Sequence, residues 1–122
     1  MRLLLTMSPT ILLIVYGQLI TKWRIEILAK TIPETSSAIS RLMVYLTDPY
    51  ILSAYVAAVA GSIAWMFVVE HYAISLAFPI YIGLTVLLVV IGGTVLFDEQ
   101  LTASRVVAVF LIILGVALGS RP

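Results

Sequence analysis

Four apolar segments, each close to the length that crosses a bilayer, constrain the fold of this chain more than any other feature of its sequence. A helix needs about 20 apolar residues to span about 30 Å of hydrocarbon. We expect such helices at about residues 9–28, 49–69, 73–97 and 102–118, within one domain that covers residues 1–122. Hydrophobic residues make up 62% of the chain and charged residues 11%, far from the composition of soluble domains. The sequence therefore predicts an all-α membrane protein with four transmembrane helices.

Two prolines mark expected helix starts. Ser8 before Pro9 is typical of an N-cap with a proline in the first turn, and Asp48 before Pro49 repeats the pattern. The first apolar run follows Arg2 and could also be a signal peptide, but no small-residue cleavage site comes after it. We therefore expect a transmembrane helix that begins near Pro9.

The one long connection contains a short periodic stretch at residues 36–46. Its apolar residues recur at helical spacing and form one face: Ile39, Leu42, Met43 and Leu46. With Thr35 or Ser36 as the cap and Arg41 on the polar side, this pattern predicts an amphipathic helix on the membrane surface between the first two spans. An ordinary ordered loop remains the alternative.

The basic residues are distributed unevenly between the two ends of the predicted bundle. Five lie on one side, namely Lys22, Arg24, Lys30, Arg41 and Arg105, whereas Arg2 and Arg121 lie on the other. By the positive-inside rule, the larger group faces the cytoplasm and both termini face outward.

Several classes of function are disfavoured by composition. The formal charge of +1 is too small to indicate nucleic-acid binding, and the chain has no cysteine and a single histidine, His71. We therefore expect no metal site and no cofactor. Because no nucleophile, acid and base converge in the pattern, we do not expect an enzyme.

Gln18 and Lys22 are the two polar residues that the first span can least easily accommodate. A helix that starts at Pro9 places Gln18 about 13 Å deep, and Lys22 lies one turn closer to the cytoplasm on the same face. Charged groups at such depth are costly unless they face protein or water. Both are candidate substrate-binding residues. The alternatives are hydrogen bonding between helices for Gln18 and snorkelling to the surface for Lys22.

Other polar residues extend this candidate site. Arg24, Arg41 and Arg105 could gather at the cytoplasmic mouth, where guanidinium groups suit phosphate oxygens. Arg105 lies in the first turn of its helix, against the helix dipole, which suggests that a phosphate or carboxylate compensates it. The alternative for each arginine is that it only helps to set the orientation of the chain in the membrane and contacts anionic lipid. Inside the predicted bundle, the candidate substrate-binding residues besides Gln18 are Tyr16, Tyr81 and Thr85.

Small residues indicate close helix packing at two places. Ser53, Ala57 and Gly61 recur every four residues, and Gly115 with Gly119 forms a GxxxG pattern in the last span. Contacts within one chain and contacts between two chains explain such patterns equally well.

Several motifs together resemble a known family. Residues 17–22 form a G-Q-L-x-x-K pattern, residues 75–79 read SLAFP, residues 97–101 read FDEQL, and residues 111–116 read LIILGV. In this order they resemble the small multidrug resistance branch of the drug/metabolite transporter superfamily, and most of all the subunits that flip undecaprenyl-phosphate-linked aminoarabinose. Ser75 and Phe78 depart from the family pattern. The resemblance implies a four-helix subunit that pairs with a second one, and it favours Gly115 as part of the dimer interface.

One departure separates the two branches of that family. The alignment of Gly17 and Lys22 puts Ile14 where the proton-coupled exporters have a membrane-embedded glutamate. Isoleucine cannot exchange a proton for a cationic drug, and the other carboxylates fall near the ends of the spans. The resemblance therefore favours the lipid-flippase branch.

The sequence thus leads to the expectation of a multi-pass subunit in a bacterial inner membrane that flips a polyprenyl-phosphate-linked sugar by alternating access. Its expected partners are that lipid, the surrounding membrane lipids and a second like subunit. An antiparallel homodimer would set one copy against the positive-inside rule, so a heterodimer is favoured and a homodimer stays open. Two other functions remain: an exporter of small cations, and a non-transporting accessory subunit of a glycosyltransferase.

Overall fold

The computed structural model describes residues 1–121, and within them all regular structure is helical. Five helices follow one another: α1 (Arg2–Ala29), α2 (Ala38–Thr47), α3 (Pro49–His71), α4 (Ile74–Phe97) and α5 (Ala103–Gly119). Helices α1, α3 and α4 are long and apolar enough to cross a membrane, whereas α2 and α5 are shorter apolar helices. Pro122, the last residue of the predicted domain, lies outside the described residues.

The first helix begins earlier than the sequence predicted. It starts at Arg2 and includes Pro9 in its interior, so the prediction of a start at Pro9 with Ser8 as cap was wrong. A proline inside a helix leaves the carbonyl four residues before it without its usual N–H donor. Here that carbonyl belongs to Leu5, and the Ser8 hydroxyl donates to it at 2.9 Å. The Ser8 hydroxyl therefore replaces the donor that Pro9 lacks inside the helix. In sequence, this arrangement looks the same as a serine N-cap followed by proline.

The second and third helices have side-chain caps. Helix α2 is capped by Ser37, one or two residues later than predicted, and the Ser37 side chain accepts a hydrogen bond from the Ser40 amide. The Asp48 carboxylate accepts from the Ile51 amide at 3.1 Å, and Pro49 occupies the first turn of α3. The predicted start of this helix is confirmed.

The turn between α4 and α5 has a fixed shape. Asp98 adopts a left-handed backbone conformation with φ of 53°, and its amide donates to the Gly93 carbonyl. Thr102 then caps α5, because its side chain accepts from the Arg105 amide at 3.3 Å.

Helix α1 lies at the centre of the bundle, packed most extensively on α3 and next on α4. A buried cluster joins these helices through Met7, Ile11, Val68 and Ala77. On α3, Ala57 and Gly61 are buried as the small-residue pattern predicted, and the Thr10 hydroxyl donates to the Gly61 carbonyl at 3.2 Å. Gly17 approaches α3 closely, because a Cβ there would meet the Ala54 carbonyl oxygen at 3.4 Å.

Helix α5 rests on α4 alone among the helices described. The closest approach is at Gly83, where an added Cβ would lie 2.7 Å from Cγ2 of Val116. Neither α2 nor α5 contains a buried residue. Large apolar side chains are exposed on all faces of the bundle, for example Val56 at 69% and Val95 at 72%. Such a surface suits hydrocarbon and not water.

Candidate functional site between helices α1 and α4

Gln18 and Lys22 lie on the same face of α1 and line a cavity between α1 and the end of α4. The cavity has a volume of about 190 Å³. Its lining residues are Gln18, Leu19, Lys22, Val89, Gly93, Phe97 and Glu99. The structure thus brings together the two residues that the sequence singled out first, beside a carboxylate that it did not.

Lys22 lies between two carboxylates. Its Nζ is 3.0 Å from Oε1 of Glu26, one turn along α1, and 3.7 Å from Oε1 of Glu99 in the α4–α5 turn. The side chains of Lys22 and Glu99 are 47% and 42% exposed, so both pairs remain accessible. Ion pairs of this kind contribute little to stability and exchange easily. An incoming anion can therefore replace either carboxylate on Lys22.

Glu99 reaches this position because the turn folds back over the end of α4. Its amide donates to the Gly93 carbonyl at 3.4 Å. A Cβ on Gly93 would lie only 2.8 Å from Oε2 of Glu99, so the carboxylate occupies space that any larger residue would fill. The sequence placed Glu99 correctly at a helix boundary but gave no sign that its side chain turns back toward α1. In the sequence, the one feature that could have indicated this position of Glu99 is a glycine, Gly93, six residues before an acidic residue in the turn.

An apolar groove between α1 and α4 shares two lining residues, Leu19 and Phe97, with the Lys22 cavity. Its volume is about 430 Å³, and its other lining residues are Tyr16, Ile20, Trp23 and Leu96. Trp23 and Leu96 are 38% and 63% exposed, so the groove opens at the side of the bundle. A charged cavity and an apolar groove therefore lie next to the same two residues between α1 and α4.

Two more cavities follow α1 toward its other end. Gln18 also lines a cavity of about 220 Å³ between α1 and α3, together with Ile14, Gly17 and Thr21. Ile14 in turn lines a cavity of about 200 Å³ with Thr10, Ser62 and Tyr81. Polar side chains thus recur along α1 from Lys22 to Thr10, a distance of about 18 Å at the helical rise per residue.

Arg24 has a structural role that the sequence did not reveal. Its Nε and Nη2 donate to Oδ2 and Oδ1 of Asp48 at 3.1 and 2.7 Å. Its guanidinium carbon also lies 4.6 Å from the centre of the Tyr50 ring. The hydrogen bonds from Arg24 hold the pKa of Asp48 below its usual range, supported by the Ile51 amide. The structure therefore engages Arg24 in joining α1 to α3, apart from the Lys22 cavity.

The other predicted cations do not line the Lys22 cavity or the groove. Arg105 donates from Nη1 to the Gln100 carbonyl at 3.0 Å, so a backbone oxygen holds the position where a phosphate or carboxylate was expected. Arg41 is half-buried on α2 and forms no ion pair within residues 1–121.

The predicted interior residues are dispersed. The Tyr16 hydroxyl is 2.8 Å from the Ser53 hydroxyl, while its ring lines the apolar groove. Tyr81 packs 5.1 Å from the Trp65 ring and lies in the cavity farther along α1. The Thr85 hydroxyl is buried without a hydrogen-bond partner among the described residues. Of these three, Tyr16 is the one that lines the apolar groove.

Gly115 and Gly119 face open space on α5. A Cβ added at either position would meet no atom within 4 Å. The GxxxG pattern is therefore not used for packing within the part of the chain that the structure describes, and it remains available to another helix.

The polar groups that line the Lys22 cavity are one ammonium group, one carboxylate and one amide, from Lys22, Glu99 and Gln18. No group of three or more His, Asp or Glu residues that could hold a metal ion occurs within residues 1–121. Together the fold and the cavities define a helical protein with segments of membrane-spanning length and with a polar cavity and an apolar groove between two of them. Comparisons with protein-family models, curated proteins and solved structures give no significant match to this chain.

Proposed function

We propose that this protein is a subunit of a membrane flippase for a lipid-linked anionic substrate, of which a polyprenyl-phosphate-linked sugar is the best example. The observation that carries the proposal is that the polar Lys22 cavity and the apolar groove border the same two residues of α1 and α4, Leu19 and Phe97. A lipid-linked sugar needs a cation for its phosphate, hydrogen-bonding groups for its sugar and a lateral opening for its tail. Lys22, Gln18 and the groove supply one of each.

Passage of the head group needs polar contacts along the depth of the bundle. The row of cavities from Lys22 past Gln18 to Tyr81 and Thr10 offers hydroxyl and amide groups at intervals along α1. The tail can stay in lipid, because the groove opens to the side. A molecule with a polar head group and a long tail has to be divided in this way between a polar path and the surrounding bilayer. The polar groups along α1 agree with the function that the family resemblance of residues 17–22 implies.

In this proposal α5 is the fourth transmembrane helix and α2 is a surface helix in a bacterial inner membrane. The 17 residues of α5 span about 26 Å, slightly less than the hydrocarbon core. On α2 the apolar residues Ile39, Leu42 and Met43 are 75%, 51% and 57% exposed, which suits contact with lipid. The excess of basic residues at the Lys22 end places that end in the cytoplasm.

The active unit in this proposal is a dimer, with the second subunit placed against α5. The open face at Gly115 and Gly119 supports this arrangement, because small residues allow helix backbones to approach closely. A partner of opposite orientation fits the charge distribution better than a second copy does. Alternating access would then proceed by movement of one subunit against the other.

One observation favours a second candidate, an exporter of small cations. Lys22 pairs with two carboxylates, Glu99 in the cavity wall and Glu26 outside it, so these three groups sum to one net negative charge when all are ionised. A cation could compete with Lys22 for Glu99. The site lies near the end of α4, however, and Ile14 occupies the mid-span position where the family resemblance would place the exchanging glutamate.

Native mass spectrometry of the purified protein distinguishes these candidates. Undecaprenyl phosphate and tetraphenylphosphonium are offered in parallel to the native protein, to Lys22→Ala and to Lys30→Ala. Lys30 is a matched control, because it is an exposed lysine at the end of α1 that does not line the cavity or the groove.

The proposal predicts that the native protein and Lys30→Ala retain the polyprenyl phosphate and that Lys22→Ala loses it. The same spectra report how many subunits bind together. Retention of the organic cation alone, with binding lost in Glu99→Gln, would replace the flippase with the exporter.

A further inference from the structure

The fold of the α4–α5 turn places the carboxylate of Glu99 against Gly93 and 3.7 Å from Nζ of Lys22. Its amide and that of Asp98 both donate to the Gly93 carbonyl, and the left-handed conformation of Asp98 turns the chain back over α4. The missing side chain of Gly93 leaves the space that Oε2 of Glu99 occupies. These features together aim one carboxylate at Lys22 across the mouth of the cavity.

Lys22 is therefore already neutralised before any ligand arrives. An anion that binds by charge alone must displace Glu99 or Glu26 from Lys22 and then lie beside the displaced carboxylate. It therefore exchanges one ion pair for another and adds a like-charge contact. A ligand that makes further contacts, such as hydrogen bonds to Gln18, gains binding free energy that offsets the cost of displacing the carboxylate. The arrangement therefore weakens the binding of anions that contact only Lys22 more than the binding of anions that make further contacts.

We propose that Glu99 guards Lys22 against common anionic membrane lipids, so that the site disfavours a single phosphodiester charge relative to a phosphomonoester or a head group with further contacts. The excluded class is the monoanionic phosphodiester lipid with a small head group. This inference rests on the proposed lipid-binding function, and it assigns to Glu99 a role in specificity. It needs no contact between Glu99 and the transported sugar.

The test compares Glu99→Gln with Asp98→Asn by native mass spectrometry in detergent, with phosphatidylglycerol as the anionic probe and phosphatidylcholine as the zwitterionic one. Both variants remove one negative charge from the same turn. Asp98 forms no ion pair with Lys22, and asparagine tolerates the left-handed conformation at this position. The pair therefore separates the aimed carboxylate from the general charge of the turn.

We expect Glu99→Gln to retain about twofold to fivefold more phosphatidylglycerol than the native protein. Phosphatidylcholine should bind all three proteins equally, and Asp98→Asn should match the native protein with both probes. The guard role would be overturned by unchanged phosphatidylglycerol binding in Glu99→Gln, or by an equal gain in Asp98→Asn. Failure of the native protein to bind undecaprenyl phosphate would instead refute the proposed function, so the two failures are distinct.

Discussion

Arg24 and Asp48 connect the C-terminal part of α1 to the first turn of α3 through two hydrogen bonds of 3.1 and 2.7 Å. The side chains are only 18% and 5% exposed, in contrast to the ion pairs of Lys22. The same carboxylate caps α3 through the Ile51 amide. One acidic residue thus follows the end of α2, caps the start of α3 and anchors α1, and this makes the contact a determinant of stability.

The Arg24–Asp48 contact should make stability depend on pH under acidic conditions. Because the pKa of Asp48 is lowered in the folded protein, its contribution is present above the unfolded value of about 4 and is lost as the pH falls through the lower folded value. Thermal melts in detergent between pH 7 and pH 3 test this. Asparagine is also a good N-cap, so Asp48→Asn keeps the start of α3 and loses only the charge that pairs with Arg24. Its melting temperature should be lower than that of the native protein at pH 7 but should fall less steeply below pH 4. Asp98→Asn, the matched control, should keep the native profile.

Lysine should not replace Arg24 without loss. It cannot make two parallel hydrogen bonds to Asp48 or stack its head on Tyr50 as a planar group. We expect Arg24→Lys to lower the melting temperature by about 3 to 8 °C and to leave lipid retention per folded molecule unchanged. Arg41→Lys, at an arginine without an ion pair in the described residues, should melt like the native protein. A selective loss of lipid binding in Arg24→Lys would show that Arg24 belongs to the binding site after all.

The contact between α4 and α5 depends on the absence of a side chain at Gly83. The Cβ of an alanine there would lie 2.7 Å from Val116, so Gly83→Ala should destabilise the protein by about 1 to 3 kcal/mol. The double variant Gly83→Ala with Val116→Ala removes the colliding methyl groups and should recover most of that loss. Reversible unfolding in mixed detergent measures each variant. If the double variant is no more stable than Gly83→Ala, then α5 is not packed as described.

Gly115 should matter for association and not for the fold of one subunit. We expect Gly115→Leu to weaken dimer formation about tenfold, because a large side chain blocks close approach at an otherwise open face. Val106→Leu is the matched control, since nine helical residues place Val106 on the opposite face of α5. Analytical ultracentrifugation in density-matched detergent reports the dimer. Equal association of the two variants would move the interface away from the GxxxG face.

Local features of the sequence were sufficient to predict most helices. The Asp48-Pro49 pair specified the start of α3, and hydrophobic length alone indicated α3 and α4 to within a few residues. The Ser8-Pro9 pair misled because a serine that repairs an interior proline and a serine that caps a helix occupy the same position relative to that proline. The choice depends on whether the preceding residues continue the helix, and the apolar run from Leu3 allowed either outcome.

The candidate site was predictable only in part. The spacing of Gln18 and Lys22 put them on one face, which the structure confirms. Contacts between distant residues, such as Lys22 with Glu99 and Arg24 with Asp48, depend on how the helices pack and on how the α4–α5 turn folds back. A count of charges cannot show which arginine is already paired. This is why the sequence revealed neither the contact of Arg24 with Asp48 nor the position of Glu99 beside Lys22.

The most direct test of the account is to find where a lipid-linked anion binds. The native protein is illuminated with a polyprenyl phosphate that carries a photoreactive group near its phosphate, and the labelled peptides are identified by mass spectrometry. We predict labelling of α1 around residues 18–23 and of the end of α4 around residues 96–97, with loss of both in Lys22→Ala but not in Lys30→Ala. Labelling confined to α3 and α5, or labelling that Lys22→Ala leaves intact, would contradict the proposed site.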